Sequence, residues 1–250
     1  MTKRDNWASP SPTRTTFLVG DIHGCAAELE HLMQLVEAEF DYAISGDPAL
    51  VFVGDYIDRG PDSAVVLEFL HGAQTEAPDL ITCLLGNHER MMLDFLDDPT
   101  GPAKRWLRHG GLETVASMGL RAQVTSEGGD AAALVDLAFD IRAALGADRI
   151  AWLQALPLSW NSGTLWAVHA AADPALPMPA QEANTLLWGT SSFGRIDRTD
   201  AQWVAYGHVP VEDPKAERGR VPLDTGAVYG GPLTAARIDP DGLVRFIQTR

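Results

Sequence analysis

The stretch GDYIDRGPDS, residues 54–63, follows directly on the apolar run Leu50–Val53 and holds the pattern that decides the fold. Short apolar runs of this kind are typical of buried strands. In open α/β sheets, ligands bind outside the carboxyl ends of the strands. We therefore expect a strand that ends in a binding site, with Asp55, Asp58 and Arg59 in the turn that follows it.

Four more apolar runs also end in residues that can bind a metal ion. They are Phe17–Val19 before Asp21 and His23, Leu80–Leu85 before Asn87 and His88, Leu165–Val168 before His169, and Trp203–Tyr206 before His208. A glycine stands directly before four of these polar groups, where it lets the backbone turn sharply and approach a ligand closely. A single Asp or His after a strand is ordinarily a turn residue, but the same feature at five strand ends predicts one shared site.

The segments between the first three runs have helical spacing. Apolar residues recur on one face between Leu29 and Phe40, and Asp62 is placed to cap a second helix that begins at Ser63. Strands that alternate with helices in this way form parallel pairs. The sequence therefore predicts an α/β fold.

The remainder of the chain differs in character from this first part. Residues 91–156 are predicted as a mostly helical cover, with helices at 103–109, 111–118, 131–145 and 147–155. The Gly- and Pro-rich residues 219–250 are predicted as strands and turns. Two Ser-Pro pairs indicate a loose arm over residues 1–14, so we expect a single domain over 15–250.

Composition excludes several classes of protein. The chain has 250 residues, 46% of them hydrophobic, and a formal net charge of −15. This apolar content excludes a mainly disordered chain, no apolar run is long enough to cross a membrane, and the acidic balance argues against nucleic acid as a partner. Two cysteines and no signal peptide indicate a reducing cytoplasm. Oligomeric state does not follow from the sequence.

The polar groups at the strand ends form a ligand set of nitrogen and oxygen atoms. Its members are Asp21, His23, Asp55, Asn87, His169 and His208. Without cysteine, this set excludes a structural zinc knot and suits manganese, iron or zinc. Six ligands fit two ions that share one aspartate, and paired metals are the usual apparatus for attack at phosphorus. Arg59 and Arg90 lie beside the ligands and could bind a phosphate.

Six blocks of the sequence resemble one protein family. They are GDIHGC at 20–25, GDYIDRGPDS at 54–63, LLGNHERMM at 84–92, VHA at 168–170, YGHVPVEDP at 206–214 and LDTGAVYGGPLTA at 223–235. In this order they resemble the PPP-type serine/threonine protein phosphatases, in their bacterial branch, within the calcineurin-like metallophosphoesterases. The resemblance implies a four-layer α/β/β/α sandwich with a dimetal site at the strand ends.

The resemblance also implies a role for each site residue. Asp21 and His23 would hold the first metal, Asp55 would bridge both, and Asn87, His169 and His208 would hold the second. His88 would be the general acid, oriented by Asp58. Arg59 would bind the phosphate, and we infer the same for Arg90 from its position.

These roles predict a manganese-type phosphatase in which a hydroxide that bridges the metals attacks phosphorus directly. Phosphoserine or phosphothreonine in proteins, together with small phosphomonoesters, is the expected substrate. The alternative is a dinucleoside polyphosphate (diadenosine tetraphosphate) hydrolase, and a third hypothesis is a catalytically silent binding module on the same fold.

Two features leave the substrate open. Many PPP-type phosphatases have a phosphate-binding Arg shortly after a Trp, but this chain reads Trp188-Gly189-Thr190. Arg195 or Arg198 could replace that Arg, although their spacing does not indicate it. Lys104, Arg105, Arg108 and His109 cluster on a predicted helix. They either grip further phosphates or an acidic phosphopeptide, or form a solvated helix face.

Overall fold

The computed structural model describes residues 7–40 and 46–249. Its strands, numbered in chain order, are β1 (Thr16–Val19), β2 (Ala49–Phe52), β3 (Ile81–Cys83), β4 (Ser159–Ser162), β5 (Leu165–Val168), β6 (Trp203–Tyr206), β7 (Arg220–Pro222), β8 (Thr234–Ile238) and β9 (Val244–Gln248). They form one sheet of order β3-β2-β1-β8-β9 and a second of order β4-β5-β6-β7. All five apolar runs form strands as predicted, divided between the two sheets.

The strands that lead into the predicted site are parallel within each sheet. In the first sheet β1 pairs with β2 and β2 with β3, with Phe17 opposite Leu50. In the second sheet β5 pairs with β6 and β6 with β7. The antiparallel strands β8 and β9 complete the first sheet, which confirms the prediction of strands and turns near the end of the chain.

The helices lie outside the sheets. They are α1 (Ala26–Glu37), α2 (Ser63–Glu76), α3 (Asn87–Asp97), α4 (Gly111–Ser117), α5 (Ala131–Ala155) and α6 (Ala183–Trp188), with a 3₁₀ helix at Pro102–His109. Gly146 has non-helical angles of φ 75° and ψ 160°. It therefore divides α5 at the point where the sequence predicts two separate helices.

Alternate side chains of β1 show how the layers pack. Leu18 lies in the core between the sheets, with Leu165 and Ala205 of the second sheet. Its neighbours Phe17 and Val19 face the other way, into the core beneath α1, α2 and α3. On the far face of the second sheet, side chains of β5 and β6 pack against α6. The structure thus has the four-layer α/β/β/α architecture predicted from the resemblance.

The prediction of a loose arm is wrong for residues 7–14. The ring of Trp7 packs edge-to-face on Trp203 at 6.2 Å between centroids, and the Trp203 indole donates to the carbonyl of Ala8. The backbone N–H groups of Ser11 and Thr13 donate to the side chains of Thr164 and Ser162. These contacts fasten the segment to the second sheet. Residues 1–6 lie outside the described residues.

Two smaller findings concern the helices. Asp62 occupies the N-cap position of α2 as predicted, but its side chain makes no capping hydrogen bond. Within the described ranges, no helix combines the length and the apolar character needed to cross a membrane.

Candidate metal centre

The polar residues that follow β1, β2, β3, β5 and β6 meet at one edge of the two sheets. The backbone there is unusual, because seven non-glycine residues of the described chain have a positive φ and five of them are predicted site residues. These five are His23 (46°), Asp55 (55°), Asp58 (75°), Arg59 (67°) and His208 (67°). Such angles cost energy and cluster at functional sites, so the surrounding fold holds these turns for a purpose other than stability.

Glycines allow the turns that carry the candidate ligands to approach one another. A Cβ atom on Gly207 would lie 1.8 Å from Oδ1 of Asp21, and one on Gly86 would lie 2.2 Å from the amide nitrogen of Asp55. Any side chain at these positions would push the turns apart. The glycines therefore serve the close approach that the sequence predicts for them.

Asp55 lies at the middle of the site. Its Oδ1 is 3.3 Å from Nε2 of His169, and its Oδ2 is 3.6 Å from Nε2 of His23. Its Oδ1 also accepts a hydrogen bond from the backbone N–H of His88 at 3.0 Å. Burial raises the pKa of this carboxyl, but the nearby histidines outweigh it and hold the pKa well below its usual range. Asp55 is thus a carboxylate with one histidine on each side.

The second group of ligands brings several electron-rich atoms together. His169 donates from Nδ1 to the carbonyl of Val53, so its Nε2 carries a lone pair when the ring is neutral. Burial lowers the pKa of His169 to about 4, which keeps the ring neutral at pH 7. Its Nε2 lies 2.7 Å from Oδ1 of Asn87, and Nδ1 of His208 lies 2.9 Å from the same oxygen. A cation would satisfy this group of donor atoms.

Asp21 supplies an independent sign of a cation. Its Oδ2 accepts the backbone N–H of His208 at 2.8 Å. Its Oδ1 is the one buried side-chain polar atom in the described chain that lacks a hydrogen-bond partner. Burial, followed by the charges of Asp224 and Asp55, raises the pKa of Asp21 well above its usual value. A buried carboxylate oxygen without a donor is costly, and a metal ion would remove that cost.

The first group of ligands adjoins a hydrogen-bonded His–Asp pair. His23 donates from Nδ1 to the carbonyl of Ile57 at 2.7 Å, so its Nε2 carries a lone pair when the ring is neutral. His88 donates from Nδ1 to Oδ2 of Asp58 at 2.6 Å. Burial lowers the pKa of His88, but Asp55 and Asp58 raise it by more, so its net shift is upward. The ring can therefore hold a proton beside the ligands.

Asp58 is fixed by residues that the sequence did not single out for the site. The indole N–H of Trp106 donates to both carboxylate oxygens, at 3.0 and 2.8 Å, and the Thr114 hydroxyl donates to Oδ1 at 2.6 Å. Both side chains are fully buried and come from the helical region after α3. This region therefore holds the orientation of the His88–Asp58 pair.

Arg59 lies between His23 and His88 and contacts both. It donates from Nη1 to Nε2 of His23 at 2.7 Å and from Nη2 to Nε2 of His88 at 3.0 Å. Its guanidinium carbon also lies 5.8 Å from the ring centroid of Tyr229, an exposed residue at the edge of the site. A cation in this position is suited to bind a phosphate.

Glu89 is a further residue whose importance the sequence does not reveal. It is completely buried, and its carboxylate accepts hydrogen bonds from the backbone N–H groups of Asp55, Tyr56, Ile57 and Gly86 at 2.8–3.2 Å. Burial raises its pKa to about 8. Glu89 thus ties the turn after β2 to the turn after β3.

Asp224 lies in the block 223–235, to which the sequence assigns no site role. Burial and the charge of Asp55 raise the pKa of Asp224 to about 6, and the charge of Asp224 in turn raises the pKa of Asp21. The site therefore contains more carboxylates than the predicted ligand set, which increases its need for positive charge.

The structure does not bring every predicted arginine to this site. Arg90 is partly exposed and forms an ion pair with Asp94 on the next turn of α3, so its contacts give no support to a phosphate-binding role. Arg198 is buried, where it pairs with Asp200 and donates to the carbonyls of Asp173 and Leu176. Its donors are used in the fold, so it does not replace the missing Arg. Arg195 is exposed and makes no described contact with the ligands.

The basic cluster lies on the helix predicted at 103–109, which is a 3₁₀ helix rather than an α-helix. Arg105 lies 5.2 Å from the ring centroid of Trp188, and Arg108 pairs with Glu127. His109, at the end of this helix, has its ring 6.4 Å from that of His88. The cluster is therefore divided, and only part of it faces the site.

An uncharged pocket of about 370 Å³ opens beside His208. Its walls come from residues 170–171, 188–191, 193–194, 206 and 208–209, and none of these is Asp, Glu, Lys or Arg. Trp188, Phe193 and Tyr206 supply aromatic surface. Gly189, where an Arg could be tried in place of the missing one, has φ +82°, a conformation that side-chain-bearing residues rarely adopt.

The donor atoms fit two divalent cations. His23, Asp55 and His88 place ligand atoms within 4.8 Å of one another, and so do Asp55, His169 and His208. Asp55 belongs to both groups. When bound, such cations make water a nucleophile at neutral pH and attract a phosphate.

Comparison with known proteins agrees with this geometry. The profile of the calcineurin-like phosphoesterase family matches residues 15–212. The chain is 32% identical over 232 residues to serine/threonine-protein phosphatase 1 of Salmonella typhimurium, covering 90% of this chain and 92% of that one. It is 30% identical over 243 residues to the asymmetrical bis(5'-nucleosyl)-tetraphosphatase PrpE of Bacillus subtilis, covering 88% and 89%.

A solved structure shares the fold. The cold-active protein-tyrosine phosphatase of a Shewanella species superposes with a TM-score of 0.59 at 17% identity, covering 96% of this chain and 82% of that one. The family profile extends over most of the chain, from β1 to β6, and includes all six predicted ligands. The chain therefore belongs to the calcineurin-like phosphoesterase family.

Proposed function

We propose that this protein is a manganese-dependent phosphatase that hydrolyses phosphomonoesters, with phosphoserine and phosphothreonine in proteins as its preferred substrates. The observation that carries the proposal is the convergence of two groups of side chains on Asp55, one with His23 and His88 and the other with His169 and His208, with Arg59 hydrogen-bonded to His23 and His88. A phosphate bound there meets cations, an arginine and a proton donor together. Buried free cysteines suit a reducing compartment such as the cytoplasm.

In this proposal each ligand keeps its predicted role. Asp21 and His23 hold one metal, Asn87, His169 and His208 hold the other, and Asp55 is shared. The chain's own catalytic groups are His88, which donates a proton to the leaving oxygen, and Arg59, which binds the phosphate. Asp58 holds the Nδ1 proton of His88. Nε2 of His88 accepts a hydrogen bond from Arg59 here, so in this proposal Nε2 becomes protonated and acts as the acid when Arg59 turns to the phosphate. Arg90 has no part in this scheme, because its partner is Asp94.

A second candidate substrate is a dinucleoside polyphosphate. The uncharged pocket beside His208 favours it, because Trp188, Phe193 and Tyr206 offer a base an aromatic surface without an opposing charge. Relatives such as the PrpE protein carry the name of a tetraphosphatase. A catalytically silent module has less support, since all six ligands and His88 lie together.

A comparison of rates tests the proposal. The manganese-loaded enzyme is given a phosphoserine peptide, diadenosine tetraphosphate and a small aryl phosphate, and kcat/KM is measured for each. We expect the aryl phosphate and the peptide to be hydrolysed, with the peptide preferred over the dinucleotide. A clear preference for diadenosine tetraphosphate would replace the proposed substrate with the second candidate. No hydrolysis of any of the three would favour the silent module.

A further inference from the structure

The groove between α1 and α2 is an apolar surface that the proposed chemistry does not use. It has a volume of about 630 Å³ and is lined by Ala26, Leu29, Met33, Val65, Val66 and Phe69, among others. Leu29 and Val66 are buried and form its floor. Val65 and Phe69 are 56% and 44% exposed, although they are large apolar side chains, and they lie one turn apart on the same face of α2. On one side the groove follows α1, whose 12 residues span about 18 Å at about 1.5 Å per residue.

The edges of this groove are acidic. Glu30, Glu37 and Asp62 line it, and Glu30 and Glu37 are exposed, two turns apart on α1. Together α1 and α2 contain five glutamates and no lysine or arginine. The apolar floor is therefore bordered by charge of one sign.

This combination selects one class of partner. Nucleic acid and anionic membrane surfaces are repelled by the carboxylates. A protein segment with apolar residues on one face and Lys or Arg on the other satisfies both the floor and the edges, as amphipathic helices do in other apolar grooves.

The position of the groove relates it to the metal centre. Both helices begin directly after ligand turns, since α1 follows His23 by three residues and α2 follows Arg59 by four. The backbone N–H of Asp62 donates to the carbonyl of Gly24 at 3.0 Å, which joins the two helix starts behind the site. A segment bound in the groove therefore ends close to the catalytic turns.

We propose that the α1–α2 groove docks a basic amphipathic segment of the protein substrate and so presents a flanking phosphorylated residue to the metal centre. This inference rests on the proposed action on phosphoproteins. Docking would act on KM, because it raises the local concentration of the phosphorylated residue without changing the chemical groups.

Binding can be measured without catalysis. The probe is a fluorescent, unphosphorylated peptide of about 16 residues with Leu at helical spacing and Lys at the other positions. Its binding to the metal-loaded enzyme is measured by fluorescence anisotropy. A control peptide has Glu in place of each Lys. We expect the Lys peptide to bind and the Glu peptide not to bind. Phe69→Ser and Glu30→Lys/Glu37→Lys should each weaken binding by about tenfold or more, the loss expected for an anchor residue.

Matched variants on α5 provide the control. Phe139 is 71% exposed and stands beside the exposed Asp136 and Asp140, so Phe139→Ser and Asp136→Lys/Asp140→Lys make the same changes away from the groove. These variants should bind the Lys peptide as the wild type does. The proposal is overturned if the groove variants and the α5 variants lose the same affinity, or if the enzyme does not prefer the Lys peptide. It is also overturned if sedimentation shows a dimer that Phe69→Ser dissociates, because a second copy of the chain then covers the groove.

Kinetics separate the docking from the proposed function. A phosphoserine peptide that carries the Lys/Leu segment should have a KM about tenfold or more below that of the same peptide without it, and Phe69→Ser should abolish the difference. Aryl phosphate turnover should be the same in all these enzymes. If the phosphopeptide is hydrolysed with the same KM with and without the Lys/Leu segment, docking is wrong but the proposed function stands. Binding of the Lys peptide without any phosphopeptide hydrolysis would overturn the proposed substrate.

Discussion

His88 and Asp58 form a hydrogen-bonded pair beside the predicted metal ligands. The Nδ1 proton of His88 is held by Asp58, and Asp58 is itself held by Trp106 and Thr114. This chain of hydrogen bonds reaches from the helical region to the ligands. It allows the proton donor to be tested separately from the metal ligands.

Replacing His88 by Asn removes the proposed acid. We expect kcat to fall by about 10²–10⁴-fold, the usual contribution of general acid catalysis, while the metal content stays near that of the wild type. The loss should be smaller with nitrophenyl phosphate, because its leaving group needs no proton. Equal loss on alkyl and nitrophenyl esters would exclude the acid role, and loss of one metal per chain would make His88 a ligand.

Replacing Asp58 by Asn tests the orientation of His88. Asn tolerates the positive φ of this position, so the turn should persist. The Asp58 carboxylate raises the pKa of His88, and its removal should lower that pKa. Because the protonated ring is the active form, activity is lost as pH rises through the pKa of His88. The alkaline limb of the kcat–pH profile should therefore move to lower pH in Asp58→Asn.

Asp62→Asn provides the comparison for this change, since the Asp62 side chain makes no capping bond. Its profile should match that of the wild type. An alkaline limb that stays in place in Asp58→Asn would contradict the proposed link between the two residues.

Arg59 and Arg90 are a matched pair of arginines beside ligand turns. Arg59→Ala removes a charge-assisted contact worth about 1.5–3 kcal/mol, so kcat/KM for a phosphopeptide should fall by roughly 10- to 150-fold. Arg90 pairs with Asp94 at the surface, where such pairs contribute less than about 1 kcal/mol to stability. Arg90→Ala should therefore leave kcat/KM nearly unchanged. If Arg90→Ala lowers kcat/KM more than Arg59→Ala does, Arg90 rather than Arg59 binds the phosphate, and the role assigned here to Arg59 is wrong.

The sequence indicates the candidate ligands at the strand ends, but it does not indicate the residues that support them. Asp21, His23 and Asn87 stand after apolar runs, where their role can be inferred from position. Glu89 and Trp106 have no such signal, because their function depends on which backbone and side-chain groups the folded chain brings to them. A buried carboxylate that binds four amide groups looks in the sequence like any helix glutamate.

The loop after α6 shows how backbone conformation limits substitution. Gly189 has φ +82° and ψ 177°, which only glycine adopts readily, although a Cβ there would meet no atom closer than 3.9 Å. Gly189→Arg should therefore lower the free energy of unfolding by about 1–3 kcal/mol through strain, rather than improve the phosphate site. Thr190→Arg, at a position without positive φ, should leave stability nearly unchanged. Thermal or denaturant unfolding measures both, and a Gly189→Arg protein as stable as the wild type would contradict this account.

Other elements differ from their predictions for related reasons. β4 was not predicted, because Ser159–Ser162 reads SWNS and lacks an apolar run. Residues 7–14 have the composition of a loose arm, yet Trp7 and the backbone of Ser11 bind residues far along the chain. The composition of a short segment does not reveal contacts with residues far along the chain. By contrast, Gly146 marks the division of α5 in sequence and structure alike, because the signal is local.

The arrangement of the two sheets is what assembles the site. Asp21, Asp55 and Asn87 come from the first sheet, whereas His169 and His208 come from the second. Single apolar runs predict each strand but not the sheet to which it belongs, so the division into two sheets follows only from the family resemblance. The six predicted ligands come together only when the two sheets pack face to face.

The proposed two-metal site depends most on Asp55, because this residue belongs to both groups of candidate ligands. The most direct test is a calorimetric titration of the chelator-stripped protein with Mn²⁺, with activity followed at each step. We expect two manganese ions per chain, recovery of activity when manganese is added, and loss of both the stoichiometry and the activity in Asp55→Asn. A stoichiometry of one or none in the wild type, or full activity in the stripped protein, would contradict it.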